Sequence, residues 1–222
     1  HTVSSFKEIQ TDTVSISARI LLPLLAKELW FQPQSREILT LTASEVAALE
    51  VLSAWNGDMN QNSGLHNGLT SVYNASACVL VPGGGTFAME AVARQFANNQ
   101  NVLVVRNGWF SYRWTQIFDQ GVTPSHAEVA KARPDSDRAD QQFAPVPVEE
   151  VCAQIRAERP NLVVAPHVET SAGMLLPDHY LQALTAATHE VGALFVLDCV
   201  AAGALWANMD ALGIDVLITA PQ

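Results

Sequence analysis

From residue 76 onward, short apolar runs alternate with longer stretches in which apolar residues recur every three or four positions. The runs cover 77–81, 101–106, 161–165, 193–197 and 214–219, each closed by a Gly, Pro or polar cluster. Runs that are mostly apolar suit strands covered on both faces, the pattern of a parallel sheet flanked by helices. The intervening periodicity predicts helices over 86–96 and 110–119, a third opened by Pro147 and stopped before Pro160, and a fourth from Asp178 to Glu190 with Gly192 just past its end. Asp178 is expected to cap that last helix. Residues 134–147, rich in Asp, Gln and Pro, read as surface loop. Nearer the N-terminus, 14–30 and 44–55 have helical character, Pro23 interrupts the first, and 56–67 reads as an Asn/Gly-rich loop. The expected organisation is therefore an N-terminal segment of helix and loop, 1–75, and an α/β domain, 76–222, with a mostly parallel sheet sandwiched between helices.

Composition narrows the classes of function. The 222 residues are 49% hydrophobic and 15% charged, enough for a sizeable core and unlike a disordered chain. A formal charge of −10 with no basic run repels phosphate backbones, so no nucleic-acid partner is expected. No apolar stretch reaches the roughly 20 residues that span a bilayer, and the N-terminus has no basic-then-apolar secretion signal. The expectation is a cytoplasmic protein with no membrane partner. Cys78, Cys152 and Cys199 are widely spaced in apolar surroundings and read as buried free thiols, not as a disulfide framework or zinc cluster.

In a wound α/β sheet the chemistry gathers beyond the carboxyl ends of the strands. Pro82-Gly83-Gly84-Gly85-Thr86 precedes a helix, and its free amides suit an anion such as phosphate; a tight turn is the plainer reading. Gly83, Gly85 and Ala88 also fit the dinucleotide pattern G-x-G-x-x-A, with Arg106 as a candidate for an NADP phosphate. No Gly-Lys follows the glycines, which excludes a Walker A loop. Asn107-Gly108-Trp109-Phe110-Ser111-Tyr112-Arg113-Trp114 is dense in aromatics that could stack on a flat heterocycle or serve as core. His167-Val168-Glu169-Thr170-Ser171-Ala172-Gly173 offers hydroxyls for a ligand or for its own turn, and His167 reads as a satisfied structural imidazole. Asp198 ends the run 193–197, where a buried carboxylate is costly without a cation or several donors. A protonated pyridine nitrogen would answer that need, as would an ion pair. Ile218-Thr219-Ala220-Pro221-Gln222 ends the last run.

In order and spacing these segments, over roughly Leu69 to Gln222, resemble the class V pyridoxal-phosphate (PLP) aminotransferases, the group of alanine-glyoxylate and serine-pyruvate aminotransferases. The resemblance implies the large domain of a fold type I PLP enzyme. It implies that Gly84, Gly85 and Thr86 supply donors to the cofactor phosphate and that Phe110 stacks on the pyridine ring. Thr170, ahead of Ser171, would lie near the phenolic oxygen. Asp198 would bind the pyridine nitrogen, with Val200 below the ring. Gln222 matches the residue before the Schiff-base lysine, which is expected at the next position; Lys7, Lys27 and Lys131 follow no motif-bearing strand. The implied reaction is amino transfer between a small amino acid and a small 2-oxo acid by a homodimer. A cysteine desulfurase or another PLP lyase of the same fold is the nearest alternative, although desulfurases usually place a histidine where this chain has Phe110. An NADP-linked oxidoreductase and a non-catalytic PLP-binding module are the others.

Overall fold

A computed structural model describes residues 63–81, 83–121, 124–137 and 141–220. The helical readings over 14–30 and 44–55, and Gln222, lie outside the described residues. The chain divides into two compact units, His1–Thr70 with Ala77–Pro82 and Ser71–Ser76 with Gly83–Gln222. Helix α1 (Ser63–Tyr73) begins within the stretch read as loop. Residues 77–81, expected as a strand, are irregular, and Val79 is 49% exposed. An apolar run supplies side chains to bury but no partners for its own N–H and C=O groups, and a strand needs both.

The second unit contains, in chain order, α2 (Gly85–Phe96), β1 (Asn101–Arg106), α3 (Tyr112–Gln120) and β2 (His126–Lys131). A ribbon of β3 (Arg133–Pro134) and β4 (Phe143–Ala144) leads to α4 (Val148–Glu158) and β5 (Leu162–Pro166). A second ribbon, β6 (Val168–Glu169) and β7 (Met174–Leu175), is followed by α5 (Asp178–Glu190), β8 (Leu194–Asp198), α6 (Met209–Leu212) and β9 (Val216–Ile218). Five strands form one sheet in the order β2-β1-β5-β8-β9, every pair parallel.

Alternate strand residues face opposite layers. Leu103, Val105, Val163, Phe195 and Leu197 pack on Val151 and Ile155 of α4 and Leu181 and Leu184 of α5. Val102, Val104, Leu162, Val164 and Val196 pack on Met89 and Ala93 of α2 and Trp114, Ile117 and Phe118 of α3. The sheet is thus covered on both faces, as the apolar runs require. Strand β2 was not expected: His126, Glu128 and Lys131 break its apolar pattern, and at the sheet edge only Ala130 is fully buried. Pro177, not Asp178, occupies the cap position of α5, and Asp178 is its first helical residue. The stretch expected as loop over 134–147 holds most of the β3-β4 ribbon.

Strand β1 pairs outward with β2 and inward with β5. Sheet growth therefore changes direction between β1 and β5, and the crevice beyond their carboxyl ends is where this architecture receives ligands.

Candidate active site

Asp198 is the last residue of β8 and is only 8% exposed. Its Oδ2 accepts a hydrogen bond from Trp114 Nε1 and its Oδ1 one from the Val200 N–H, both at 3.1 Å. Burial pushes this carboxyl above its ordinary range; the two donors pull it down, neighbouring Glu169 pushes it up, and the net direction is upward. Among the described residues no Lys or Arg forms an ion pair with it. A buried carboxylate with two neutral donors is incompletely compensated, and a cationic donor would complete it.

Trp114, fully buried in α3, was not singled out as a partner of Asp198. The signal was available, because a buried indole N–H seeks an acceptor and Asp198 offered one. Trp114→Phe keeps most of the volume and removes the donor, so the folded chain is expected to lose about 1–3 kcal/mol, read by urea denaturation at neutral pH.

The glycine turn meets the same carboxylate through Val200. A Cβ on Gly85 would lie 2.6 Å from both Val200 methyl carbons, so only glycine allows this approach. Gly83 has φ +131°, and a Cβ there would lie 2.7 Å from Phe87 Cγ. Gly84 is the N-cap of α2, with no side-chain cap and no acidic residue in the first turn. Thr86 is exposed in that turn. The start of α2 thus presents amide donors and no competing negative charge of its own.

Across the switch point, Glu169 joins the loop after β1 to the ribbon after β5. It is fully buried and accepts four hydrogen bonds: Phe110 N–H at 3.1 Å, Ser111 N–H at 2.8 Å, and the hydroxyls of Ser111 and Ser171 at 2.6 Å each. Burial pushes its carboxyl up, but the four donors outweigh this and hold it below the ordinary range. Ser171 Oγ also accepts the Trp109 N–H at 2.8 Å. Its hydroxyl is therefore engaged within the protein, whereas Thr170 is exposed and its hydroxyl makes no hydrogen bond among the described residues. Phe110 and Trp109 remain 53% and 63% exposed beside this stitch. Sequence reasoning did not select Glu169, since its partners lie 58 and 59 residues away along the chain.

The structure thus brings Gly85, Val200 and Asp198 into one contact chain, and Phe110 and Thr170 flank a second one centred on Glu169. Trp114 links the helix after Phe110 to Asp198. His167 differs from expectation: it is buried and its Nδ1 has no partner among the described residues, as is true of both side-chain polar atoms of buried Asn107. Burial pushes the imidazole below its ordinary value and Asp178 offsets this in part. The three cysteines are free; Cys152 and Cys199 are buried, whereas Cys78 is partly exposed. Among the described residues no group of three or more His, Cys, Asp or Glu could hold a metal ion, and no helix is long and apolar enough to cross a membrane.

A five-stranded parallel sheet between helices, with a glycine turn opening a helix and a buried aspartate ending a central strand, is the fold type I arrangement of PLP-dependent aminotransferases. Two solved structures bear out the fold. The ureidoglycine-glyoxylate aminotransferase of Bacillus subtilis matches 75% of this chain and 40% of its own, with TM-score 0.58 and 23% identity. The alanine-glyoxylate aminotransferase of Nostoc sp. matches 68% of this chain and 38% of its own, with TM-score 0.55 and 24% identity. In sequence, 150 residues, 66% of the chain, are 32% identical to the 2-aminoethylphosphonate–pyruvate transaminase of Burkholderia thailandensis. The chain spans 37% of that relative's length. The class V aminotransferase resemblance is thereby borne out. The family model described as Penicillin amidase matches residues 1–142, and over that span the chain belongs to this family. No reading of the sequence anticipated that match. It takes in Gly84, Gly85, Thr86 and Phe110 and stops before Thr170, Asp198 and Val200. The matched span and the transaminase-like residues together exceed the length of the chain, so the two likenesses overlap.

Proposed function

We propose that this chain carries the cofactor-binding part of a PLP-dependent aminotransferase that moves an amino group between a small amino acid and a small 2-oxo acid of the pyruvate or glyoxylate type. The observation that carries the reading is Asp198, a buried carboxylate that ends a central strand with two neutral donors and no described cation. The residues present fit the cofactor. The amides at Gly84, Gly85 and Thr86 would hold its phosphate, Phe110 and Val200 would cover the two faces of its ring, Thr170 would donate to its phenolic oxygen, and Asp198 would accept its ring N–H. When bound, the group supplies an electron sink for the substrate α-carbon. The chain keeps that sink effective: Asp198 holds a proton on the ring nitrogen, and Trp114 and the Val200 amide hold the Asp198 oxygens in place.

The likeness to a pyruvate transaminase supports the small 2-oxo acid acceptor. The reading includes a division at residues 75 and 76, a homodimer and a cytoplasmic protein. Borohydride reduction followed by intact mass measurement of the full-length protein, with a coupled alanine–glyoxylate assay, tests it. A PLP-sized mass increment and amino transfer are expected. A protein that takes up no PLP would contradict the reading.

A further inference from the structure

We propose that Glu169 is a positioning residue that holds the backbone at Phe110, and with it the direction in which the ring is presented for stacking, an inference that rests on the aminotransferase reading. Two consecutive amides, those of Phe110 and Ser111, donate to the two carboxylate oxygens of one buried side chain. These bonds bracket the Cα of Phe110 and fix the direction of its Cα–Cβ bond, while the ring itself remains exposed. The same carboxylate receives the Ser111 and Ser171 hydroxyls; three of its four bonds draw the loop after β1 toward the ribbon after β5, and the fourth, within the ribbon, holds the Ser171 hydroxyl that accepts the Trp109 N–H. Gly108 makes this closure possible: a Cβ there would lie 2.7 Å from Glu169 Cγ and would collide with Ser171 Oγ.

The chemistry requires a carboxylate. Four donors converge on it, and only an acceptor-only group satisfies them all. An amide of the same shape brings its own N–H₂ toward these donors. Ser111 Oγ cannot readily accept it, because that oxygen already receives the N–H groups of Asn107 and Gly108 at 2.9 and 3.1 Å. Glu169→Gln should therefore release whichever of the Phe110 and Ser111 amides meets the new N–H₂, since each donates to its own oxygen, and let the backbone that carries the aromatic ring shift.

A double-mutant cycle on the full-length protein tests the inference by titrating PLP into Glu169→Gln, Phe110→Leu and the combination. Glu169→Gln alone is expected to raise the PLP dissociation constant about tenfold. It should also at least halve the visible circular-dichroism band of bound PLP. In the Phe110→Leu background the same change should alter affinity by less than about twofold, because the residue acts through the ring. Independent, multiplying effects would overturn the inference while leaving the functional reading intact. Wild-type protein that binds no PLP would overturn both. Should Glu169→Gln not fold, Ser171→Ala removes one donor and keeps the carboxylate. Faster hydrogen exchange at the Phe110 and Ser111 amides of that variant, with β1 unchanged, is then expected, and unchanged exchange would overturn the inference.

Discussion

Asp198→Asn is expected to weaken PLP binding by roughly 10- to 150-fold, the loss of one charge-assisted hydrogen bond worth about 1.5–3 kcal/mol. The substitution preserves shape and removes the one charge that the ring nitrogen is proposed to meet. Its effect on the cofactor-free protein should differ in kind. Folding raises the Asp198 carboxyl above its unfolded value, chiefly through burial. Between those two values the folded chain holds a proton that the unfolded chain has released, so stability falls as pH rises through this window. The window opens at the ordinary aspartate value and extends upward. Asp198→Asn should remove that fall, which pH-resolved urea denaturation of the cofactor-free wild type and variant would reveal. Equal PLP affinities in the two proteins would contradict the assigned role.

The second large effect is expected at the glycine turn. Gly85→Ala introduces a methyl group 2.6 Å from both Val200 methyl carbons, so either the start of α2 must move away or the turn after β8 must shift and strain the Val200 amide bond to Asp198. A stability loss of about 1–3 kcal/mol is expected from overpacking. PLP affinity should fall with it, since the amides would move away from the phosphate. Val200→Ala on the same chain clears the collision, and the pair should recover most of the lost stability, a coupling measurable by a denaturation cycle. Strictly additive losses would show that the two residues do not press on each other.

What was legible in the sequence follows from where the physical signal is local. The run 193–197 ending in Asp198 announces a buried strand with a costly terminal charge, and the structure places that residue as expected. The glycine turn opening α2 is similarly local, because positive φ and close approach leave a glycine signature. The register that brings Glu169 to Phe110 and Ser111 is not local: it depends on β1 and β5 being neighbours, which no pattern within either segment states. Strand β2 escaped notice for a related reason. Its side chains are half exposed, and what makes it a strand is the ladder from Asn101 to Arg106 beside it. Residues 77–81 show the converse, an apolar run without a strand. The family match over residues 1–142 was signalled by no motif that the sequence reading used.

The ring nitrogen of bound PLP offers the most direct test of the central claim. Full-length protein loaded with ¹⁵N-labelled cofactor should give the chemical shift of a protonated pyridine nitrogen at about pH 8, where a model pyridine of this kind is substantially deprotonated, because Asp198 would raise the affinity of that nitrogen for its proton. The shift of a deprotonated nitrogen in the wild-type protein, unchanged in Asp198→Asn, would contradict the account.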